Sequence, residues 1–201
     1  MIFYLKIIFS MIRSVLYLKH FTLDRNNVVL LAENSVVKKP KHIVFNGRAS
    51  FGHHLWLECV TNYFDYNYKP EIVFGDNFLC GNNVHIGATG KIKFGDNVLL
   101  GSHILITDHA HGIYNENDLM SSPSEEPLKR KLSTGIIEVG DNVWIGDGTK
   151  IIGNIKIGSG VVIGAGSVVT KDIIKNSIAC GNPARVVKQW CLEENAWKSI
   201  K

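Results

Sequence analysis

The chain has 201 residues, which is enough for one domain of ordinary size with a continuous hydrophobic core. Its formal net charge of +4 is mild and excludes the basic stripe of a nucleic-acid-binding protein, so we expect no nucleic-acid partner. The 4 cysteines form no CxxC pair, which argues against a zinc knuckle or a disulfide scaffold and favours reduced thiols in a cytoplasmic protein.

Residues 1–18 are strongly apolar, and their polar side chains share one face of a helix. These side chains, at spacings of i, i+4, i+7 and i+8, are Lys6, Ser10, Arg13 and Ser14. The pattern predicts an amphipathic helix. Its cations interrupt the roughly 18 apolar residues that a spanning helix requires, so we expect neither a transmembrane span nor a signal peptide. The helix either packs on its own oligomer or makes peripheral contact with a membrane surface.

A repeat of six residues runs through the C-terminal half of the chain. An apolar residue recurs at every sixth position without a break, in the order Val139, Ile145, Ile151, Ile157, Ile163 and Val169. Glycine directly follows four of these positions. A period of six is typical of neither a helix nor an alternating strand; it indicates a short strand, a corner and another short strand.

The same period occurs earlier in the chain, with shifts of phase. It is seen as Phe74, Cys80 and Ile86, then as Phe94, Leu100 and Ile106, and more weakly as Phe45, Phe51 and Leu57. Three units make a triangular coil of about 18 residues, in which the apolar positions point inward and successive coils hydrogen-bond to each other. The sequence therefore predicts an all-β solenoid, a parallel β-helix of hexapeptide repeats.

The repeat stops after Ile106 and resumes at Val139, so the segment between them must leave the coils. Long loops without their own periodicity inside a compact domain are typical of functional sites. We predict an N-terminal amphipathic helix and linker over residues 1–30, a β-helix domain over 31–182 with a protruding loop at 107–138, and a capping segment over 183–201. The capping segment is predicted to form a closing strand and a short C-terminal helix.

His109 lies at the start of this loop, directly after the last strand of a coil. Attack of a hydroxyl group on a thioester requires removal of the hydroxyl proton near neutral pH, and imidazole is suited to that task. We therefore expect His109 to be a general base. A nearby carboxylate or carbonyl group should fix its tautomer. Asp108 is adjacent and is a candidate for that role, although neighbouring residues on a strand point to opposite sides.

Three segments carry a resemblance to a known family: FGDNVLLGSHILITDHAHG, VGDNVWIGDGTKIIGNIKIGSGVVIGAGSVVTKDI and ACGNPARVVK. Over residues 72–188 the chain resembles the hexapeptide-repeat acyltransferases of the galactoside and maltose O-acetyltransferase branch, and still more the bacterial surface-polysaccharide O-acetyltransferases. The resemblance implies left-handed coils, a homotrimer, acetyl-coenzyme A as co-substrate and direct transfer of acetyl to a sugar hydroxyl, with His109 as catalytic base.

The resemblance also implies where the coenzyme binds. Its pantetheine arm would follow the coils that resume after the loop, and basic residues near the C-terminus would meet its phosphates. The implied cofactor-binding residues are Trp144, Gly146, Asp147, Ala165, Thr170, Lys171, Arg185 and Lys188. The glycine and the alanine suit close approach by a ligand, and they equally suit a tight corner.

The acceptor site is less well defined by the sequence. The predicted substrate-binding residues are Asn82, Asn83, His85, Asp108 and His111, each of which has a simpler explanation as a corner, surface or loop residue. Gly81 occupies the position of the family's acceptor-binding asparagine, so the acceptor sugar is left open. The apolar and basic N-terminus differs from the acidic one of the galactoside enzymes. This difference favours an enzyme of capsule, O-antigen or exopolysaccharide biosynthesis at the inner face of a membrane.

Other classes of protein carry similar repeats. An amino-sugar N-acetyltransferase is the nearest alternative. A zinc enzyme related to the γ-type carbonic anhydrases would use His109, His111 and a third histidine, but the characteristic spacing is missing and we expect no metal. A purely structural solenoid would have little use for the loop that bears His109. A sugar nucleotidyltransferase is disfavoured because no glycine-rich nucleotide-binding segment precedes the repeats.

Overall fold

The computed structural model of the chain describes residues 21–23, 28–115 and 120–200, together with Ile8 and Ile12. The predicted N-terminal helix lies outside the described residues, apart from Ile8 and Ile12, whose backbone is helical. No helix in the described ranges is long and apolar enough to cross a membrane. Their remaining structure consists of short strands and two 3-10 helices, Pro40–His42 and Pro127–Lys129.

Three sheets form the three faces of one solenoid. Face A contains, in spatial order, β1 (Thr22–Leu23), β4 (Ile43–Phe45), β9 (Glu71–Phe74), β12 (Lys91–Phe94), β15 (Ile136–Val139) and β18 (Ile155–Ile157). Face B contains β2 (Val29–Leu31), β5 (Ala49–Phe51), β10 (Phe78–Cys80), β13 (Leu99–Leu100), β16 (Trp144–Ile145), β19 (Val162–Ile163), β21 (Ser177–Cys180), β22 (Arg185–Cys191) and β23 (Ala196–Ser199). Face C contains β3 (Val36–Lys38), β6 (Trp56–Cys59), β11 (His85–Ala88), β14 (Leu105–Thr107), β17 (Lys150–Ile152) and β20 (Val168–Val169).

The chain visits the faces in turn, so each round is one coil of the kind that the six-residue period predicts. Neighbouring strands are parallel from β1 to β21, which confirms the predicted parallel β-solenoid. A separate antiparallel hairpin, β7 (Asn62–Tyr63) and β8 (Tyr66–Asn67), stands outside the coils between β6 and β9.

The core is a column of the apolar residues that lead each repeat. On face A the ring of Phe74 stacks between two others, with centroids 5.0 Å from Phe45 and 5.2 Å from Phe94. All three rings are at most 1% exposed. Successive coils are therefore joined through their side chains as well as through their backbones.

The recurring Gly-Asp-Asn triplet connects the corners of successive coils. The backbone N–H of Asp76 donates to the Asp96 carboxylate over 2.7 Å, and that of Asp96 donates to the Asp141 carboxylate over 2.9 Å. The side-chain amide of Asn77 donates to Asn97 over 3.0 Å, and both asparagines have the positive φ that a tight corner requires. These side chains satisfy backbone donors that the corners would otherwise leave unpaired.

Two cysteines belong to the packed part of the coils. Burial raises the thiol pKa of Cys59 to about 12, and the negative charges of Asp108, Glu58 and Glu71 add to this effect. Burial also raises the thiol pKa of Cys80 to about 12. Both thiols are neutral at physiological pH and are not nucleophiles.

The prediction of a short C-terminal helix is wrong, because this segment forms two strands. After the cis peptide bond Asn182–Pro183, β22 pairs antiparallel with β21, and β23 pairs antiparallel with β22. Trp190 and Trp197 face each other across this hairpin with ring centroids 5.3 Å apart. The β-branched and aromatic residues of β22 favour extended structure, and the open edge of β21 offers a template for it.

Phe74→Ala tests whether the phenylalanine column stabilises the solenoid. Removing this fully buried ring leaves a cavity between two stacked neighbours, and we expect the free energy of unfolding to fall by about 3–5 kcal/mol. Phe64, which is 60% exposed in the β7–β8 turn, provides the control. Phe64→Ala should change stability by less than about 0.5 kcal/mol in the same chemical denaturation measurement. Equal losses for the two variants would contradict the proposed role of the column.

Candidate active site

The candidate site lies where the chain leaves face C between β14 and β15. The two ends of the protruding segment run side by side at its base. The N–H of Gly112 donates to the Lys131 carbonyl and that of Ser133 donates to the Ala110 carbonyl, each over 3.0 Å. His109 is therefore held at the root of the loop rather than at its tip.

A buried carboxylate orients the His109 ring. Nδ1 of His109 lies 3.0 Å from Oδ1 of Asp108, whose side chain is 0% exposed. The same carboxylate accepts the backbone N–H groups of Thr89 over 2.9 Å and Gly90 over 2.8 Å. Since the carboxylate is an acceptor, Nδ1 carries the proton and Nε2 is left with its lone pair.

Two predictions about Asp108 are corrected by this geometry. The expectation that it would point away from His109 is wrong because β14 ends at Thr107, so the alternation of a strand no longer applies. Its prediction as a substrate-binding residue is also wrong because its side chain is buried beneath His109 and bonded to the backbone. No sequence motif indicated the supporting Thr89, whose hydroxyl donates to the Ser133 carbonyl over 3.0 Å.

His85, predicted as a substrate-binding residue, lies beside His109 on face C. A Cβ added to Gly87 would lie 3.4 Å both from Nε2 of His85 and from Cε1 of His109. The pKa of His85 is lowered chiefly by burial, and the charges of His109 and Lys38 lower it further against the opposing effect of Glu58. His85 is therefore neutral at physiological pH.

Asn82 and Asn83 do not meet His109 within the chain. They precede β11, at the edge of face C where strands begin, whereas His109 follows β14 at the edge where strands end. The side-chain oxygen of Asn82 accepts the N–H of His53 over 2.8 Å, and Asn83 has the positive φ of a corner residue. Both asparagines serve the corners of the coils.

The predicted pantetheine contacts are divided between coil packing and exposed surface. A Cβ on Gly146 would lie 2.7 Å from the backbone nitrogen of Ala165, so this glycine is required by the approach of two coils. The carboxylate of Asp147 accepts the backbone N–H of Ser102. Ala165 is exposed, and Trp144, which is 52% exposed, stands on face B rather than on the face of His109.

The four residues predicted for the adenine and phosphate end are all exposed. Thr170 follows β20 directly, and the N–H of Ala184 donates to the Val168 carbonyl over 2.8 Å, which brings Arg185 alongside the same strand. Strand β20 shares face C with β14. Lys171 follows at the next corner, whereas Lys188 lies on face B, where it pairs with Ile178.

Among residues 28–115 and 120–200, no three side chains of the metal-binding types come close enough together to hold a metal ion. Within this chain, His109 and His111 are engaged by other partners. His109 bonds to Asp108, and Nδ1 of His111 lies 3.2 Å from the hydroxyl of Tyr63.

Comparison with known proteins identifies the family. The family described as Bacterial transferase hexapeptide (six repeats) matches residues 137–171. The chain is 32% identical over 163 residues to the putative lipopolysaccharide biosynthesis O-acetyl transferase WbbJ of Escherichia coli K12, covering 81% of this chain and 83% of that protein. The chain belongs to the hexapeptide-repeat acetyltransferases. The resemblance recognised from the sequence motifs is confirmed.

Two solved structures of acetyltransferases share this fold. A maltose O-acetyltransferase from Clostridium difficile 630 is 34% identical with a TM-score of 0.52, covering 78% of this chain and 70% of that chain. A galactoside acetyltransferase in complex with coenzyme A is 27% identical with a TM-score of 0.54, covering 88% of this chain and 69% of that chain.

The protruding loop of this acetyltransferase is clamped by Tyr63 of the β7–β8 hairpin and by Tyr68, which follows the hairpin directly. The hydroxyl of Tyr63 contacts His111 and donates to the Leu128 carbonyl. The hydroxyl of Tyr68 accepts the N–H of Leu132 over 3.0 Å and donates to its carbonyl over 3.2 Å. His111, predicted as a substrate-binding residue, therefore has one ring nitrogen committed to the clamp. These contacts join distant parts of the sequence, and no local pattern indicated them.

Tyr68→Phe tests the clamp. Without the hydroxyl, both backbone groups of Leu132 lose their partner, and we expect the hydrogen-exchange protection of the Leu132 amide to fall about tenfold. Tyr66→Phe is the matched control because this exposed neighbouring ring retains its contact with Lys131. Unchanged protection in Tyr68→Phe, or an equal loss in Tyr66→Phe, would show that the clamp does not hold the loop.

Proposed function

We propose that this acetyltransferase transfers an acetyl group from acetyl-coenzyme A to a sugar hydroxyl in the biosynthesis of a bacterial surface polysaccharide, such as a capsule, an O-antigen or an exopolysaccharide. The observation that carries this proposal is the His109–Asp108 pair at the root of the loop, with Nε2 available to accept a proton. The named functions of the O-acetyltransferases to which the chain is similar support the sugar acceptor and the coenzyme.

His109 acts as general base and then as general acid. Nε2 takes the proton of the sugar hydroxyl while the hydroxyl oxygen attacks the thioester carbonyl carbon. The tetrahedral intermediate then collapses, the carbon–sulfur bond breaks, and the thiolate of coenzyme A receives the proton from the imidazolium. Throughout, the Asp108 carboxylate holds Nδ1–H and stabilises the imidazolium charge, so no covalent acyl-enzyme is required.

The coenzyme would extend from His109 along face C towards β20. Two strand spacings, roughly 10 Å, separate β14 from β20. The exposed cations Lys171 and Arg185 at that end suit the phosphates, and an arginine can bind phosphate oxygens through two parallel hydrogen bonds. Thr170 and Lys188 complete the proposed phosphate and adenine contacts.

The proposed assembly is a homotrimer whose sites lie between protomers. Half-exposed apolar side chains follow each other in register along face B, from Leu79 through Leu99 to Trp144. Such a ladder suits burial against another copy of the chain. Trp144 would then reach the pantetheine arm of a coenzyme that is bound on face C of a neighbouring protomer, beside Ala165.

The handedness of the coils, the domain bounds and the cellular location complete the proposal. We propose left-handed coils, as the family resemblance implies, and the domain division at residues 30 and 182. The protein would act in the cytoplasm, at the inner face of the membrane, with the amphipathic segment 1–18 in peripheral contact with lipid.

His109→Ala tests the proposed base. Turnover with acetyl-coenzyme A and a hydroxyl sugar should fall by about a thousandfold, because the variant lacks the proposed general base, while the Kd for coenzyme A stays the same. His103→Asn is the control: His103 is exposed at the other edge of the same coil, with a positive φ of 60° that asparagine tolerates. Retained turnover in His109→Ala would overturn the mechanism. Transfer to amino sugars alone would instead support the N-acetyltransferase alternative.

Asp108→Asn tests the orienting carboxylate. An asparagine amide has two orientations here. In one its NH₂ group faces the N–H of Gly90, and in the other it faces the N–H of Thr89 and Nδ1 of His109, so in either case two donors oppose each other. We expect kcat to fall about a hundredfold or more, with an unchanged KM for acetyl-coenzyme A. The exposed loop carboxylate Asp65 supplies the control, and Asp65→Asn should behave as the wild type. An Asp108→Asn variant with full turnover would show that tautomer and orientation are fixed by other means.

A further inference from the structure

Two histidines, each with a carboxylate beside it, stand next to each other on face C. His109 is held by Asp108. His85, on the preceding coil, has Nε2 4.0 Å from Oε2 of Glu58 on the coil before that. The two imidazoles flank Gly87, because an added Cβ there would lie 3.4 Å from an atom of each ring.

The missing side chain at Gly87 leaves a shallow seat between the two rings. Cε1 of His109, the atom that faces this seat, is bonded directly to Nε2, the proposed base. Gly87 has no positive φ and its strand register is regular, so the backbone does not require glycine here. A glycine at position 87 instead leaves room for a ligand between the rings of His85 and His109.

The second pair is poised to bind a hydroxyl group. Oε1 of Glu58 is taken by Lys38 at 2.8 Å, which leaves Oε2 towards His85. The 4.0 Å between Oε2 and Nε2 is too long for a hydrogen bond, yet one hydroxyl oxygen can bond to both atoms. The hydroxyl would accept a hydrogen bond from Nε2–H of His85 and donate one to Oε2 of Glu58.

The His85 ring is fixed in place by its neighbours. It stacks on Trp56 with centroids 4.5 Å apart and planes 17° from parallel, and Lys38 lies 4.9 Å from the indole centroid. Since His85 is neutral at physiological pH, it can bond to a hydroxyl without repelling the imidazolium that forms on His109 during transfer. The geometry is that of a rigid recognition group placed beside a base.

We infer that the acceptor presents two hydroxyl groups on neighbouring carbons, one to Nε2 of His109 and the other between His85 and Glu58, with the edge of the sugar seated over Gly87. This inference rests on the proposed function and narrows its acceptor to sugars with a free vicinal diol. His85 and Glu58 determine specificity, and Trp56 positions His85.

The decisive experiment combines His85→Leu with deoxy acceptors. The probes are the methyl glycosides of glucose, galactose and mannose and their monodeoxy derivatives. With a vicinal diol, His85→Leu should lower kcat/KM for the acceptor about tenfold, because one hydrogen bond to the acceptor is lost. With the deoxy compound that lacks the second hydroxyl, wild type and variant should be equal. An equal loss with both acceptors, or no loss with either, overturns the inference.

Gly87→Ala tests the seat itself. The added methyl group makes only ordinary contacts, so the variant should fold and bind coenzyme A but lose transfer to the sugar at least tenfold. Gly153→Ala is the control, because a Cβ there meets nothing within 4 Å, although its φ of 105° carries some strain. Sugar transfer by Gly87→Ala at the wild-type rate would contradict the seat.

Failure of the proposed function can be distinguished from failure of this inference. Slow hydrolysis of acetyl-coenzyme A without acceptor reports His109 alone, and it should be lost in His109→Ala and retained in the control variant His103→Asn. If hydrolysis does not depend on His109, the proposed function fails. The diol seat is tested without turnover by NMR: the ring protons of His85 and His109 should both shift with a vicinal-diol glycoside in the wild type and not in Gly87→Ala. Unmoved resonances in the wild type would refute the seat.

Discussion

The whole structure depends on how closely one coil lies upon the next. Parallel strands sit about 4.8 Å apart, and a corner has no room for a side chain that points at the coil above it. A Cβ on Gly75 would lie 2.4 Å from the Gly95 carbonyl oxygen, and one on Gly95 would lie 2.2 Å from the Asp141 carboxylate. At these positions the close approach of successive corners therefore requires glycine.

This constraint explains why the functional groups lie where they do. A coil that must repeat its corners cannot also accommodate the protruding loop, so this loop leaves face C after β14 and the ladder resumes at β15. At that point the backbone no longer alternates, and Asp108 turns inward beneath His109. Two backbone N–H groups, those of Thr89 and Gly90, bond to its carboxylate and keep it buried and in place. The geometry of the His109–Asp108 pair is thus a product of the interruption in the repeat.

Much of the fold could be predicted from the sequence because inward-facing apolar residues recur at every sixth position. Three series of apolar residues with a spacing of six begin at Phe74, Phe94 and Val139, and they predicted which residues point inward. The gap between the second and third series located the loop and His109. The C-terminal hairpin was missed because its residues do not follow the six-residue period. They stand at the end of the solenoid, where we expected a short helix to cover the last coil. Its strand-forming residues, such as Val186 and Trp190, were the available signal.

The site was only partly predictable, for a physical reason. Glycine and aspartate suit both a tight corner and a ligand contact, so the pattern that locates Gly146 and Asp147 does not separate the two roles. The clamp on the loop joins Tyr68 to Leu132, which are 64 residues apart in sequence. Such long-range hydrogen bonds depend on the number of coils between two segments and on the direction in which a hairpin projects. A local sequence motif predicts neither property.

The top of the solenoid has consequences for solubility. A stack of parallel strands is open-ended, and an exposed last coil could receive the first coil of another molecule and grow into a filament. Here each face is covered at that end: Ile173 bridges to β18, the segment around Ala184 bonds to β20, and β22 reverses direction against β21. The reversal leaves β23 as an antiparallel outer edge, which a parallel coil cannot continue. The hairpin therefore acts as a stop against end-to-end polymerisation.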